Sequence, residues 1–213
     1  TSTMSNKRSR SELEDSSLTI HDLPDGVFAD VAAYLALPSK ALFAIAMTAP
    51  STTWTKTNHN FCNGAIATAI SSSNSWEALD FGDIDKSLAA KLSDDDVGAI
   101  LHCIKAKTTL KTLKLTGCAN IRGRGLESLR DSNILEHIDL SLVGQHESPD
   151  IDPEPQLCEE LVVPILDSIV GTRALQFVVL PKVWREKRST ILNALLENFK
   201  TLLESQRNKC YEC

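Results

Sequence analysis

Aromatic residues are scarce in this 213-residue chain, at 5%, so leucine, isoleucine, valine and alanine must fill most of any core it builds. An uninterrupted apolar run of about 20 residues, the length of a helical membrane span, is also missing. The most apolar stretch, Val27 to Ala49, is broken by Asp30, Pro38, Ser39 and Lys40. Lys7, Arg8 and Arg10 are not followed by an apolar run, so they do not open a secretory signal. Basic excess is lacking: the formal charge is −6. A phosphate backbone needs a basic face, so nucleic acid is not an expected partner. His21, His59, His102 and His146 have no metal-ligand spacing. Gly123-Arg124-Gly125 lacks the third glycine of a dinucleotide fingerprint and the Lys-Ser/Thr of a phosphate loop. No cofactor is expected.

What is present is ordinary for a globular chain, with 42% hydrophobic and 23% charged residues, and a sizeable core is allowed. The expectation is a soluble protein of the cytoplasm, the nucleus or both, with no membrane partner. There, cysteines are reduced by default. Cys62, Cys103, Cys118 and Cys158 stand in apolar or helical contexts, where a free thiol behaves as a small hydrophobe. Cys210 and Cys213 form a C-x₂-C pair, half of a tetrahedral zinc site. Two readings stay open for that pair: the start of a truncated zinc module, or free thiols on a frayed tail. The chain opens at Thr1, and both a fragment and a true start at Met4 fit the sequence.

Residues 1–17 mix Ser, Arg, Lys and Glu and cannot bury enough apolar area to offset ordering, so a disordered tail is expected. Within it, Lys7-Arg8-Ser9-Arg10 reads as a solvated charged segment or a nuclear-import patch. Residues 18–70 read as a helical module. Leu23-Pro24-Asp25 is a helix start, with proline early and an acid in the first turn. Val27, Phe28, Val31, Tyr34 and Leu35 then recur at helical spacing. Pro38-Ser39 is expected to break that helix, with Ser39 capping the next. Leu42, Phe43, Ile45 and Ala46 follow until Pro50. A third apolar stretch runs from Phe61 to Ile70, and the Ser-rich segment 71–75 is a linker.

Beyond residue 75 one spacing repeats four times. It is carried by Trp76, Leu79, Phe81 and Ile84, by Leu110, Leu113, Leu115 and Cys118, by Leu135, Ile138, Leu140 and Val143, and by Leu175, Val178, Leu180 and Val183. The apolar–any–apolar centre of each block is a short strand with one buried face. A helix must then return the chain to begin the next strand. Such helices are expected at Asp94 to Ile104, Leu126 to Arg130, Leu157 to Val170 and Ser189 to Leu203. One strand-and-helix unit cannot bury its apolar face alone, so the units are expected to stack into a solenoid over residues 76–204. The fold class is therefore α/β, with parallel strands on one face and helices on the other.

The stretch Leu110 to Leu129, LKTLKLTGCANIRGRGLESL, resembles a cysteine-containing leucine-rich repeat of the ribonuclease-inhibitor type, a class common in F-box proteins. The matching features are Gly117-Cys118 after the strand, Ile121, and Gly125-Leu126 opening the helix. The other units are irregular, their starts lying 34, 25 and 40 residues apart, and the Pro-rich, acidic interval His146 to Gln156 reads as a loop inserted into the third. Ile20 to Trp54 resembles an F-box, the helical hairpin that docks on the Skp adaptor of cullin–RING ubiquitin ligases. Leu23-Pro24, Val27, Phe28, Val31, Tyr34-Leu35, Leu42 and Trp54 carry this likeness. Thr48-Ala49-Pro50 stand where the family has Cys and Lys/Arg before the tryptophan. The resemblance implies a ligase substrate receptor. Leu23, Pro24, Val27, Phe28, Val31, Leu35 and Leu42 would hold the adaptor, and the repeats would hold an unidentified target protein. The alternative is a repeat scaffold whose helical hairpin only caps the first repeat, with no role in ubiquitin transfer.

Strand alternation points Ala78 and Asp80, Thr112, Lys114 and Thr116, His137, Asp139 and Ser141, and Phe177, Val179 and Pro181 away from the core. Stacked strands would align them on one partner-binding face. His137, Asp139 and Ser141 share that face at two-residue spacing, but no nucleophile elbow or oxyanion loop accompanies them, so the chain reads as non-catalytic. Asp94-Asp95-Asp96 reads as a helix start, with Ser93 or Asp94 as cap and acids favoured by the helix dipole, and not as a cation site.

Overall fold

Strands of three residues cannot hold themselves, and each strand here is held by pairing with its neighbours in the sheet. The structure is a computed structural model that describes residues 27, 30, 31, 34–48, 76–142, 156–187 and 189–209. Its elements are α1 (Leu37–Thr48), β1 (Ala78–Asp80), α2 (Lys86–Ala89), α3 (Asp94–Cys103), α4 (Ala106–Thr109), β2 (Thr112–Lys114), β3 (His137–Asp139), α5 (Glu159–Gly171), β4 (Phe177–Val179), α6 (Lys182–Lys187) and α7 (Thr190–Lys209). Two 3₁₀ segments, Phe81–Asp83 and Arg124–Leu129, complete them. The fold is mixed α/β. Its four strands form one parallel sheet in the order β1-β2-β3-β4.

The register is in phase across all four strands. Leu79 pairs with Leu113, Leu113 with Ile138, and Ile138 with Val178, so the central apolar position of each block lies in one column. Leu79 and Leu113 are fully buried and Ile138 nearly so. Val178 is only half-buried, because among the described residues no strand follows β4. The leading positions Trp76, Leu110, Leu135 and Leu175 and the trailing ones Phe81, Leu115, Leu140 and Leu180 are also buried. Each fully buried leucine contributes about 1.5–3 kcal/mol over exposure.

Backbone hydrogen bonds lock this register just ahead of the strands. The Glu77 carbonyl accepts from Lys111 and Thr112 N–H at 2.8 and 2.9 Å, Lys111 accepts from Glu136 and His137 at 2.8 and 2.9 Å, and Glu136 accepts from Gln176 and Phe177 at 2.8 and 3.0 Å. A hydroxyl ladder runs beside it. The buried Ser132 donates to the Lys107 carbonyl at 2.9 Å, and Thr172 donates to the Ser132 carbonyl at 2.8 Å. Both hydroxyls lie three residues before the leading apolar position of their block. The buried Ser132 is thereby satisfied at both its hydroxyl and its carbonyl.

On the other side of the core, α3 packs on the Arg124–Leu129 segment, that segment on α5, and α5 on α7. Ser93 caps α3 in a reciprocal box with Asp96, and three acids fill its first turn. The second return segment is a 3₁₀ helix, where an α-helix is expected over Leu126 to Arg130. A 3₁₀ helix rises about 2.0 Å per residue against about 1.5 Å for an α-helix, so six residues cover more of the return in the shortest unit. Gly125 lets this segment lie against α3, since a Cβ there would stand 2.4 Å from the Asp94 carbonyl oxygen.

Two further expectations are corrected. Pro38 opens α1: it stands in the first turn, where no N–H partner is needed, and Ala36 O accepts from Lys40 N at 2.8 Å. Ser39 is therefore inside the helix and not its cap. Pro181 is buried and not on the outer face, because the chain turns after Val179 into α6, whose Trp184 N–H donates to the Pro181 carbonyl at 3.1 Å. In the third block Leu142, also buried, takes a left-handed conformation (φ 63°) at the position where Gly117 (φ 76°) stands in the second. Val143 lies outside the described residues.

Leu113→Ala is expected to lower the unfolding free energy by about 2–5 kcal/mol, and Val178→Ala by less than about half of that, when both are measured by urea denaturation. In the same assay Gly125→Ala is expected to cost more than about 2 kcal/mol, because its obstacle is backbone that cannot swing aside.

Candidate functional site

The outer face of the sheet is built by alternation. In β1, β2 and β3 the central residue is buried and its flanking residues are partly exposed or exposed. The register then sets Ala78, Thr112, His137 and Phe177 in one row, and Asp80, Lys114, Asp139 and Val179 in the next. Thr116 and Ser141 follow one turn on, after their strands. Asp80, Thr112, Lys114, Thr116, His137, Asp139, Ser141, Phe177 and Val179 are thus brought to one surface.

Charge along that surface is unevenly matched. Asp80 is fully engaged: Lys114 Nζ lies 3.2 Å from its Oδ2, while Gly82 N–H at 2.8 Å and the Thr116 hydroxyl at 3.0 Å donate to its Oδ1. Among the described residues Asp139 is held from its own segment, its Oδ1 accepting from Ser141 N–H at 2.9 Å and Ser141 Oγ at 2.6 Å. Lys114 stands between these two carboxylates in the register and closes on Asp80. Asp139 forms no ion pair among the described residues. Beside it, His137 and Phe177 make a tilted ring contact with centroids 6.0 Å apart, and Phe177 is 54% exposed.

The Ser–His–Asp spacing does not assemble a proton relay. The Ser141 hydroxyl donates to Asp139, and the ring contact of His137 is with Phe177. A triad needs the hydroxyl on the imidazole. Beneath the face, Cys118 is fully buried, and its thiol is pushed up to about 12, chiefly by burial and secondarily by the Asp80 charge. Among the described residues no group of three or more His, Cys, Asp or Glu could hold a metal ion. Cys210 and Cys213 lie outside them. No described helix is long and apolar enough to cross a membrane.

The second predicted surface lies at the N-terminal helices. Val27, Asp30 and Val31 are helical, and the Tyr34 N–H donates to the Val31 carbonyl at 3.2 Å. Val27 and Val31 are exposed, and Tyr34 is 91% exposed. Leu35 is half-buried. Leu42 is partly buried against the core, in α1, which also buries Ala41 and Ile45 beside β1 and α3. Leu23, Pro24 and Phe28 are outside the described residues.

Asp94 does more than sequence reasoning assigns to it. Its Oδ2 accepts from Arg122 N–H at 3.0 Å and its Oδ1 from Gly123 and Gly125 N–H at 2.9 and 3.0 Å, tying one unit to the next. The available signal was the pair of glycines at 123 and 125, which leave backbone N–H groups open to a carboxylate.

A raised thiol pKa has a definite sign. The folded chain keeps the Cys118 proton up to about pH 12, whereas the unfolded thiol releases it near its ordinary 9.0, so folding stability falls as pH rises from about 9 to 12. Iodoacetamide at pH 8 is expected to leave Cys118 unmodified in the folded protein and to alkylate it after unfolding in urea, read by peptide mass spectrometry.

Comparison of the chain with protein-family models, with curated proteins and with solved structures returned no match.

Proposed function

We propose that this protein is a protein-interaction module serving as the substrate receptor of an SCF-type cullin–RING ubiquitin ligase. The N-terminal helices form an F-box-like hairpin that docks a Skp-type adaptor, and residues 76–204 form a short leucine-rich-repeat solenoid that holds a target protein. The solenoid reading is supported by four parallel strands paired in chain order and by return segments packed in the same order. The observation that carries adaptor docking is the row Val27, Val31 and Tyr34, apolar side chains at helical spacing left in solvent while α1 turns Ala41 and Ile45 inward. Exposed apolar residues that adjoin one another mark contact surfaces. Rate enhancement in this reading is positional: the receptor raises the effective concentration of target lysines near a ubiquitin-loaded partner. No side chain of this chain does bond chemistry, and no cofactor is used.

One observation favours a second reading, a repeat scaffold without a ubiquitin role. α1 packs on β1 and α3 and so already serves as the cap that a solenoid requires at its first unit.

The two separate in a pull-down of a purified Skp-type adaptor by the full chain. Specific capture is expected, together with a loss of roughly 10- to 100-fold in affinity for Tyr34→Ala or Val31→Asp at unchanged thermal stability. Leu23→Ala combined with Pro24→Ala is expected to act likewise. An intact, folded chain that captures no adaptor leaves the scaffold reading.

A further inference from the structure

We infer that the β3–β4 end of the outer sheet face recognises a protein segment presenting an arginine beside an apolar residue. This rests on the receptor reading and names the chemistry of the target that the face selects. Three observations carry it. The Asp80–Lys114–Asp139 row has one cation for two carboxylates, and the cation is spent on Asp80 at 3.2 Å. The remaining carboxylate has its Oδ1 engaged by Ser141, and its Oδ2 has no partner among the described residues. One strand over, Phe177 is 54% exposed with one flank held by His137, and Val179 sits directly opposite Asp139 in the register.

These groups suit one ligand better than others. With strands about 4.8 Å apart and a rise of about 3.3 Å per residue, Asp139 and Phe177 are diagonal neighbours roughly 8 Å apart. A guanidinium laid between them reaches the open carboxylate oxygen with its N–H fork and stacks on the ring. A lysine satisfies the charge but not the stacking, so arginine is preferred. The neighbouring side chain of the ligand then covers Val179, which is uncharged and lies at the end of the sheet. An acidic segment is repelled by Asp139, whose row carries one lysine already closed on Asp80, and a nucleic acid meets the same repulsion in a chain of net charge −6.

The experiment is selection of a random heptapeptide library on the immobilised full chain, followed by fluorescence anisotropy with individual synthetic peptides. Enriched peptides are expected to carry arginine with an apolar residue one or two positions away. Replacing that arginine by citrulline, which keeps shape and removes charge, is expected to weaken binding at least roughly tenfold. Asp139→Asn, which retains the acceptor for Ser141, is expected to cause a similar loss, and citrulline is expected to add little on that background. Phe177→Ala tests the stacking partner independently. Peptides that lose binding on Phe177→Ala yet carry acidic or uncharged residues overturn the arginine inference and leave the receptor reading standing. Arginine peptides bound equally by Asp139→Asn and Phe177→Ala place recognition elsewhere and overturn it. Selection of no peptide sensitive to either substitution overturns it and also removes this face as the target site. Adaptor capture, read separately, tests the receptor assignment.

Discussion

The column Leu79–Leu113–Ile138–Val178 is the contact on which the rest of the architecture depends. A three-residue strand offers one inward side chain, so that side chain is buried by the same position of an adjacent strand and, at β1, by α1 packed against it. Carbonyls of Glu77, Lys111 and Glu136, each accepting two N–H groups from the next unit, hold the strands in that register. A slip of one residue would turn the column outward and bring Asp80, Lys114 and Asp139 into the core, where desolvation of charge is costly. Column and outer face are therefore two consequences of one alignment.

The same alignment makes the outer face asymmetric. At β1, Asp80 takes both a cation and a hydroxyl from the next unit, Lys114 and Thr116. Among the described residues β4 is the last strand of the sheet, and the row ends with it. Val178 is only half-covered, Phe177 stands in solvent, and Asp139 faces Val179 where another cation would be needed to balance it. Among the described residues this places unmatched charge beside exposed apolar surface, a combination suited to the proposed arginine-bearing segment.

Glycine and carboxylate chemistry perform the packing on the opposite side. Asp94 grips three N–H groups of the following loop, and Gly125 permits the close approach that this grip requires. Gly123, at φ 106°, stands where a Cβ would meet Val162 of α5 at 2.1 Å. The Arg124–Leu129 segment is thereby wedged between α3 and α5 with no room for side chains at those two points. At the other end, α1 buries Ala41 and Ile45 in the core, while Val27, Val31 and Tyr34 ahead of it remain uncovered by the described residues. The proposed adaptor surface and the cap on β1 thus fall on different residues of the N-terminal segment.

Local pattern alone determined the four strands, their common apolar column and most of the residues on the outer face, because a period of two with one buried side leaves little choice of orientation. It also determined the start of α3, since Ser93 and the acids after it act within a single turn. The 3₁₀ form of the second return segment, the burial of Pro181, the left-handed Leu142 and the bridging role of Asp94 were decided only by tertiary structure. Each depends on how much length a unit has to return to the next strand, or on which group from a neighbouring unit lies opposite, and neither quantity is encoded within a few residues. The pairing of Lys114 with Asp80 in preference to Asp139 belongs to the same class: the sequence supplies one cation and two carboxylates, and only the packed sheet decides which carboxylate is left open.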